Sequence, residues 1–208
     1  MFRFPSIRCL LLIGLVLLAP TALAAKTILV LGDSLSAGYG IRQEVSWPAL
    51  LDKMLREKQL DYNVVNASIS GETTSGGRTR IDAALAKYSP EIVIIALGAN
   101  DGLRGLPVAT MRANLMAMTA SAQRKKAKVL IVGQRLPPNY GYYAAQFQNA
   151  FREVATTRKT ARVDFLLDGI AAQPQFFQAD NLHPTAEAQP ILLDNVWRGL
   201  EPLLNYAP

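Results

Sequence analysis

The sequence predicts an α/β protein: a three-layer α/β/α sandwich built on a five-stranded parallel sheet. Short apolar runs rich in β-branched residues alternate with amphipathic stretches five times along the chain. Runs that are apolar almost throughout suit parallel strands covered on both faces. Stripes of apolar residues at helical spacing suit helices that pack on such a sheet. Joined by right-handed crossovers, the two patterns together give the sandwich.

The strand candidates are five short runs separated by longer segments. Each run contains β-branched residues, which favour a strand over a helix. In chain order, the candidates cover residues 27–31, 62–65, 92–97, 129–132 and 162–165.

Five apolar stripes indicate the helices between and after these strands. In the first stripe, apolar residues recur at intervals of three and one residues, which places them on one face of a helix. The stripes consist, in order, of Trp47, Leu50, Leu51, Met54 and Leu55; Ile81, Ala84, Leu85 and Tyr88; Val108, Met111, Leu115 and Met118; Tyr143, Phe147, Ala150 and Val154; and Leu193, Val196, Trp197, Leu200 and Leu203.

The first 24 residues have the features of a secretory signal peptide. Arg3 and Arg8 precede the apolar run 9–19, and small residues lead to a cleavage point after Ala24. A membrane anchor is the alternative, but the run is shorter than the about 20 apolar residues that a membrane-spanning helix needs. We therefore expect secretion through the Sec pathway to the periplasm or the extracellular space, and a single mature domain over residues 25–208.

The composition of the 208-residue chain excludes several kinds of protein. One cysteine and one histidine provide neither a disulfide framework nor a cysteine and histidine zinc cluster. Cys9 lies in the predicted leader, so the mature protein has no thiol and thiol catalysis is excluded. Asp33, Asp101 and Asp180 are too scattered to indicate a metal site with one histidine, so we expect no metal and no other cofactor.

The net charge of +6 becomes +4 without the leader, because 20 basic and 16 acidic residues remain. This mild excess allows weak association with an anionic membrane surface or attraction of acidic substrates, although ordinary surface charge is the simpler explanation. No broad basic face with aromatic residues indicates nucleic-acid binding. Nothing in the pattern demands a second subunit, so we expect a monomer.

Polar or glycine-containing motifs follow four of the five predicted strands. In chain order they are Gly32-Asp33-Ser34-Leu35-Ser36, the loop at Gly71, Gly98-Ala99-Asn100-Asp101 and Asp180-Asn181-Leu182-His183-Pro184. Taken alone, each motif also has a purely structural interpretation: a serine in a turn, a glycine in a turn, an asparagine that caps a helix or a histidine that caps a helix. Because the carboxyl ends of parallel strands meet at the edge where α/β sheets bind ligands, we expect the four motifs to form one site.

The residue types in these motifs are those that acyl transfer needs. Ser34 would be the nucleophile, His183 its general base and then general acid, and Asp180 the group that orients the imidazole. The backbone N–H groups of Ser34 and Gly71 and the side-chain amide of Asn100 would stabilise the oxyanion. No serine has glycine at both the second position before it and the second after it, which excludes the nucleophile elbow of α/β-hydrolases.

In order and spacing, the four motifs resemble those of the SGNH (GDSL) hydrolase family over nearly the whole mature chain. Residues 65–71, 100–105 and 135–141 are similar to the bacterial periplasmic branch with acyl-CoA thioesterase, lysophospholipase and arylesterase activities. The resemblance implies the flavodoxin-like SGNH fold, the triad Ser34, Asp180 and His183, and an oxyanion hole of Ser34, Gly71 and Asn100. It also implies an acyl-chain groove bordered by Leu103, Arg104, Leu106, Pro137, Asn139 and Tyr140.

We therefore expect a serine esterase that hydrolyses ester and thioester bonds of small acyl substrates, including lysophospholipids, through an acyl-enzyme on Ser34. Two alternatives stay open on the sequence alone. One is an esterase that removes O-acetyl groups from carbohydrates or cell-wall glycans. The other is a periplasmic ligand-binding module that uses the donors at Gly71 and Asn100 to hold an anion.

Overall fold

The computed structural model describes residues 25–204, in which five parallel strands form one sheet in the order β2-β1-β3-β4-β5. The predicted five-stranded α/β architecture is confirmed. The strands are β1 (Lys26–Gly32), β2 (Tyr62–Asn66), β3 (Ile92–Ala96), β4 (Lys128–Val132) and β5 (Ala161–Val163).

The last strand, β5, ends two residues earlier than the pattern of residues 162–165 predicts. The backbone N–H of Gly133 donates to the carbonyl of Val163 at 2.8 Å, and the N–H of Leu166 donates to the carbonyl of Gly133 at 3.1 Å. A Cβ atom at Gly133 would lie only 2.5 Å from the carbonyl oxygen of Asp164. The chain therefore bends over the end of β4 at this point instead of continuing the strand.

The five predicted helices are all present, and two short helices join them within residues 25–204. The short ones, α1 and α4, have four and five residues and follow the ends of β1 and β3. In chain order, the helices are α1 (Ser34–Ala37), α2 (Trp47–Glu57), α3 (Thr74–Tyr88), α4 (Ala99–Leu103), α5 (Val108–Arg124), α6 (Gly141–Arg158) and α7 (Gln189–Leu200).

Apolar side chains cover both faces of the sheet, which gives the three layers. In β1, Ile28 and Val30 belong to the core that includes α2 and α7, whereas Leu29 and Leu31 belong to the core that includes α3, α5 and α6. All four side chains are fully buried. Burial of one such side chain stabilises the folded chain by roughly 2 kcal/mol, so the central strands are a rigid base for the loops at their ends.

The ends of the central strands lie level with one another. Gly32 at the end of β1 is in register with Ala96 of β3, and β3 and β4 pair from Ile92↔Lys128 to Ile95↔Ile131. The loops that follow β1, β3 and β4 therefore leave the sheet side by side. The predicted leader, residues 1–24, lies outside the described residues, and no helix among those described is long and apolar enough to cross a membrane.

Candidate active site

Ser34 is the first residue of α1, the short helix that begins directly after β1. Asp33 precedes it as the helix cap, and one carboxyl oxygen of Asp33 accepts the backbone N–H of Leu35 at 3.0 Å. A Cβ atom at Gly32 would lie 2.7 Å from the hydroxyl oxygen of Ser36, so a larger residue would force this turn to open. The tight turn holds Ser34 at the carboxyl edge of the sheet.

His183 lies between Ser34 and Asp180. Its Nε2 atom is 2.9 Å from the Oγ atom of Ser34, and its Nδ1 atom is 2.7 Å from the Oδ2 atom of Asp180. With the ring proton on Nδ1, the imidazole donates to Asp180 and accepts from the Ser34 hydroxyl. The fold thus joins the three predicted triad residues by hydrogen bonds in the order Ser34, His183, Asp180, an arrangement that can serve as nucleophile, base and orienting carboxylate.

The carboxylate of Asp180 is held by the loop that carries it. Its Oδ1 atom accepts the backbone N–H groups of Leu182 at 2.9 Å and His183 at 3.0 Å. The backbone N–H and then the ring of His183, with a smaller effect from Leu182, lower the pKa of Asp180 to about 2. Asp180 is therefore ionised at neutral pH and favours the positively charged imidazolium that forms when His183 takes a proton.

A short bridge and one aromatic contact fix the imidazole from two directions. Phe177 pairs with Pro184 in an antiparallel bridge, and the side-chain amide of Gln178 donates to the carbonyls of Tyr39 at 2.8 Å and Pro184 at 3.0 Å. The Tyr39 ring packs on the His183 ring with their centroids 4.4 Å apart. The loop after α1 and the loop before α7 are thus joined around the imidazole.

Gly71 and Asn100, the two further residues predicted for the oxyanion hole, line the same cavity as Ser34 and His183. We call this cavity the Ser34 pocket. Gly71 has a φ of +79°, a left-handed backbone conformation that favours glycine. The pocket has a volume of about 260 Å³ and is lined by Ser34, Leu35, Tyr39, Ser70, Gly71, Ala99, Asn100, Leu103, Leu182 and His183.

The side chain of Asn100 is held between a backbone carbonyl and a buried acid. Its Nδ2 atom donates to the carbonyl of Glu72 at 3.0 Å and lies 3.5 Å from the Oδ2 atom of Asp33. Asp33 is fully buried. Burial raises the pKa of Asp33 to about 7, with a smaller contribution from the negative charges of Asp101 and Glu72.

Asp101, the neighbour of Asn100, ties two of the site loops together. Its buried carboxylate accepts the backbone N–H of Thr74 at 2.8 Å and the Thr74 hydroxyl at 2.6 Å. Asn114 of α5 donates in turn to the Thr74 hydroxyl at 3.2 Å. Because Thr74 begins α3, directly after the loop that contains Gly71, Asp101 fixes that loop relative to Asn100.

A larger apolar groove adjoins the Ser34 pocket. The groove has a volume of about 490 Å³ and shares Leu35, Ala99, Leu103 and Leu182 with the pocket. Its other walls come from the loops after β4 and β5 and from the loop before α7. These walls are formed by Gln134, Arg135, Leu136, Pro137, Pro138, Phe165, Leu167, Ala171, Ala172, Phe177 and Asn181.

Of the six residues predicted to border an acyl groove, Leu103 and Pro137 line this groove. The other four stand outside the lining of both the pocket and the groove. Arg104 donates to the carbonyl of Gly71 at 3.0 Å, and the carbonyl of Leu106 accepts the Tyr143 hydroxyl at 2.7 Å. Asn139 is exposed in the short 3₁₀ turn Pro138–Tyr140, and the ring of Tyr140 lies beside that of Tyr143 with centroids 6.4 Å apart.

Several residues of the site have contacts that the sequence does not indicate. Asp33 belongs to the first predicted motif, and Tyr39 and Gln134 lie near predicted motifs, but only the fold shows which side chain each one contacts and how far it is buried. Among residues 25–204, no three histidine, cysteine, aspartate or glutamate side chains are grouped so that they could hold a metal ion.

The comparisons with known proteins agree with this geometry. A family model described as the GDSL-like lipase/acylhydrolase family matches residues 30–190. The chain is 49% identical over 201 residues to esterase TesA of Pseudomonas aeruginosa, covering 95% of this chain and 100% of that protein. It is 38% identical over 193 residues to thioesterase 1/protease 1/lysophospholipase L1 of Escherichia coli, covering 92% and 91% of the two chains.

A solved structure gives the same relationship in three dimensions. A crystal structure of TesA matches this fold with a TM-score of 0.84 at 48% sequence identity, covering 86% of this chain and 100% of that chain. The family predicted from the four motifs is therefore confirmed. From its motifs, its fold and these matches, the chain belongs to the GDSL-like lipase/acylhydrolase family, whose members are also called SGNH hydrolases.

Proposed function

We propose that the chain is a serine esterase that cleaves carboxylic ester and thioester bonds of acyl substrates through an acyl-enzyme on Ser34. The observation that carries the proposal is the continuous hydrogen-bonded line from the Ser34 hydroxyl through His183 to Asp180. This line opens on a pocket that also contains Gly71 and Asn100. Arylesterase, acyl-CoA thioesterase and lysophospholipase activities would all use this one site.

In the first half-reaction, Ser34 attacks the acyl carbonyl carbon. The Ser34 proton passes to Nε2 of His183 as the bond from Oγ to carbon forms, and the ionised Asp180 stabilises the imidazolium. The negative charge on the carbonyl oxygen is met by the backbone N–H groups of Ser34 and Gly71 and by Nδ2 of Asn100. Collapse of this intermediate expels the alcohol or thiol, which takes the proton from Nε2.

In the second half-reaction, water takes the place of the departed alcohol or thiol. His183 removes a proton from the water, whose oxygen attacks the carbonyl carbon of the acyl-enzyme. The same donors stabilise the second oxyanion. Breakdown of this intermediate returns the proton to Ser34 Oγ and releases the carboxylic acid.

The apolar lining of the groove favours substrates that carry an acyl chain. It leads away from the pocket that holds Ser34, and leucine, phenylalanine, proline and alanine side chains form most of its lining. A chain laid in the groove loses contact with water, which favours binding by about 0.8 kcal/mol for each buried CH₂ group. An acetyl group is too short to gain this energy, so a longer acyl group suits the site better than the O-acetyl groups of a glycan.

Two experiments with the mature chain test the proposal. Ser34→Ala should abolish release of p-nitrophenol from p-nitrophenyl esters while the circular dichroism spectrum and thermal midpoint stay those of the parent protein. An alkyl phosphonate ester should label the parent protein once, on Ser34, as read by mass spectrometry of its peptides. A ligand-binding module would give no covalent label, and undiminished hydrolysis by the Ser34→Ala protein would refute the role of this serine.

We further propose that the chain is exported, loses residues 1–24 and works as a monomer with a weak affinity for lipid surfaces. The signal-peptide features of the sequence support export to the periplasm or the extracellular space. The affinity for lipid is supported by exposed apolar side chains beside the Ser34 pocket. Tyr39, Leu103 and Leu182 line the pocket and are 52%, 39% and 42% exposed, and Ile69, two residues before Gly71, is 51% exposed.

A further inference from the structure

Gln134 is a buried polar residue in the wall of the apolar groove. Its side chain is 3% exposed, and its Nε2 atom has no hydrogen-bond partner among the described residues. A buried amide without a partner is costly, and Gln134 is the one such group that also lines the groove among the described residues. No step of the proposed mechanism employs this amide.

The register of the sheet gives the position of Gln134 relative to Ser34. Gly32 pairs with Ala96 across β1 and β3, and the pairing of β3 with β4 continues toward Val132. Ser34 and Gln134 each stand two residues beyond the level of these strand ends. The backbones of the strands that lead to them, β1 and β4, are two interstrand spacings of about 4.8 Å apart, or roughly 10 Å along the edge of the sheet.

We propose that Gln134 makes the groove selective for acyl chains that carry an oxygen function, above all a hydroxyl group, well beyond the carbons next to the carbonyl. The carboxamide has a donor and an acceptor, and a hydroxyl group can pair with either. Nε2 itself is shielded from the groove, so the side chain must turn for this atom to reach a substrate. A hydroxylated chain then gives the carboxamide a partner, whereas a plain alkyl chain does not. This inference rests on the proposed esterase function and assigns a substrate class to the same site.

The position of the hydroxyl group should matter. A hydroxyl on the α carbon is held next to Ser34 by the acyl bond, so we expect it to lie farther from the Gln134 amide than a hydroxyl further along the chain. A hydroxyl in the middle or at the end of a medium-length chain can reach the groove wall. The selectivity should therefore depend on where the oxygen is placed and not merely on the polarity of the chain.

The experiment compares kcat/KM for p-nitrophenyl esters of octanoate and of octanoates hydroxylated at the α carbon, in mid-chain or at the terminal carbon. The quantity read is the ratio of the hydroxylated to the plain ester. For at least one distal hydroxyl position, Gln134→Leu should lower this ratio about tenfold or more, because the amide that pairs with the hydroxyl is gone. The ratio for the α-hydroxylated ester should change less than the ratio for that distal position.

Two further variants keep the test decisive. Gln134→Met retains an unbranched side chain of similar length and should lower the same ratio, which covers the case in which Gln134→Leu folds poorly. Leu167→Met changes another wall residue of the groove without touching a polar group and should leave the ratio as it is. An unchanged ratio at every hydroxyl position in the Gln134 variants would overturn the inference while octanoate hydrolysis still upheld the esterase. Failure of the parent protein to hydrolyse any of the esters would overturn both.

Discussion

The Asp33 side chain is a buried acid next to Ser34, the proposed nucleophile, and its ionisation state bears on the proposed oxyanion site. It is fully buried, it accepts the backbone N–H of Leu35, and its second oxygen lies 3.5 Å from Nδ2 of Asn100. A negative charge here would oppose the oxyanion that we propose Asn100 stabilises. Burial, which raises the pKa of Asp33 to about 7, reduces that charge at and below neutral pH.

This shift predicts a pH-dependent contribution to stability. An unfolded aspartate has a pKa of about 3.9, so between about pH 4 and pH 7 the folded chain retains a proton that the unfolded chain has released. The contribution of Asp33 to the free energy of unfolding is thus fully present below about pH 4 and falls as the pH rises through about 7. The fall is at most about 1.4 kcal/mol per pH unit.

Urea unfolding of the parent protein and of Asp33→Asn at several pH values measures this effect. The asparagine variant cannot titrate, so the parent stability minus the variant stability should fall from pH 4 to pH 7 and level off above pH 8. Taking the difference cancels the titration of the other carboxylates, among them Asp180, whose lowered pKa gives a dependence of opposite sign. A difference that is constant, or that rises with pH, would contradict the buried neutral acid.

For individual residues, the sequence allowed a role to be predicted where residue type and position along the chain indicate one. Ser34, Asp180 and His183 could be named because a nucleophile, an acid and the only histidine follow strand ends that must meet at one edge of the sheet. Asp33 and Gln134 could not be given roles, since their importance comes from burial, which depends on residues far away in the chain. Tyr39 packs on His183 across 144 positions of sequence, and no local pattern indicates such a contact.

The start of helix α3 is held by a carboxylate from another element in addition to its own cap, Thr73. Its first residue, Thr74, gives both its backbone N–H and its hydroxyl proton to the buried carboxylate of Asp101, which lies in α4. The same short helix carries Asn100. Loss of the Asp101 carboxylate would therefore free the start of α3 and loosen the distance between Gly71 and Asn100 together.

The variant Asp101→Ala should lower both stability and activity. Two buried donors on Thr74 would lose their partner, at a cost of about 1–3 kcal/mol of unfolding free energy. The reduction in kcat/KM should exceed any rise in KM, because the oxyanion donors contribute most in the transition state. Urea unfolding and the kinetics of p-nitrophenyl ester hydrolysis give the two readings.

A matched control for this variant lies on the same helix. Thr79 is exposed on α3, and its hydroxyl donates to the carbonyl of Gly76 at 2.7 Å. Thr79→Ala should change the unfolding free energy by no more than about 0.5 kcal/mol and leave the kinetics alone. Equal effects of the two substitutions would show that Asp101 has no special part in joining the loops.

Among the elements, the long ones were predictable and the short ones were not. The central strands and the five long helices follow directly from apolar runs and stripes, because burial on two faces or on one face dictates those patterns. Helices α1 and α4 have four and five residues, too few to display a stripe. The early end of β5 depends on the close passage of Gly133 against Asp164, a contact between two loops.

The whole molecule combines a mild positive charge with exposed apolar side chains around the mouth of its site. Residues 25–208, the proposed mature chain, carry a net charge of +4. Arg104 is exposed beside the Ser34 pocket and donates to the carbonyl of Gly71. Apolar side chains that enter the headgroup region, aided by attraction to anionic lipid, would turn the pocket toward a lysophospholipid surface.

Replacement of Ile69 by glutamate should weaken this association without changing the chemistry. Ile69 is 51% exposed, and its place in the loop is set by its backbone N–H, which donates to the carbonyl of Gly32 at 3.0 Å. A charge on this side chain should oppose entry into the headgroup region, so cosedimentation with vesicles rich in phosphatidylglycerol should fall severalfold. Hydrolysis of p-nitrophenyl acetate, a soluble substrate, should stay as in the parent protein.

Tyr142→Glu is the matched control. This aromatic residue is 79% exposed and lies outside the pocket and the groove, beside a separate cleft between α5 and α6. Its replacement should therefore alter vesicle binding far less. Binding of the parent protein should also decrease at high salt and on vesicles of phosphatidylcholine alone, because screening and neutral headgroups remove the electrostatic part. Equal losses from the two substitutions would mean that net charge, and not the apolar rim of the site, brings the protein to the lipid.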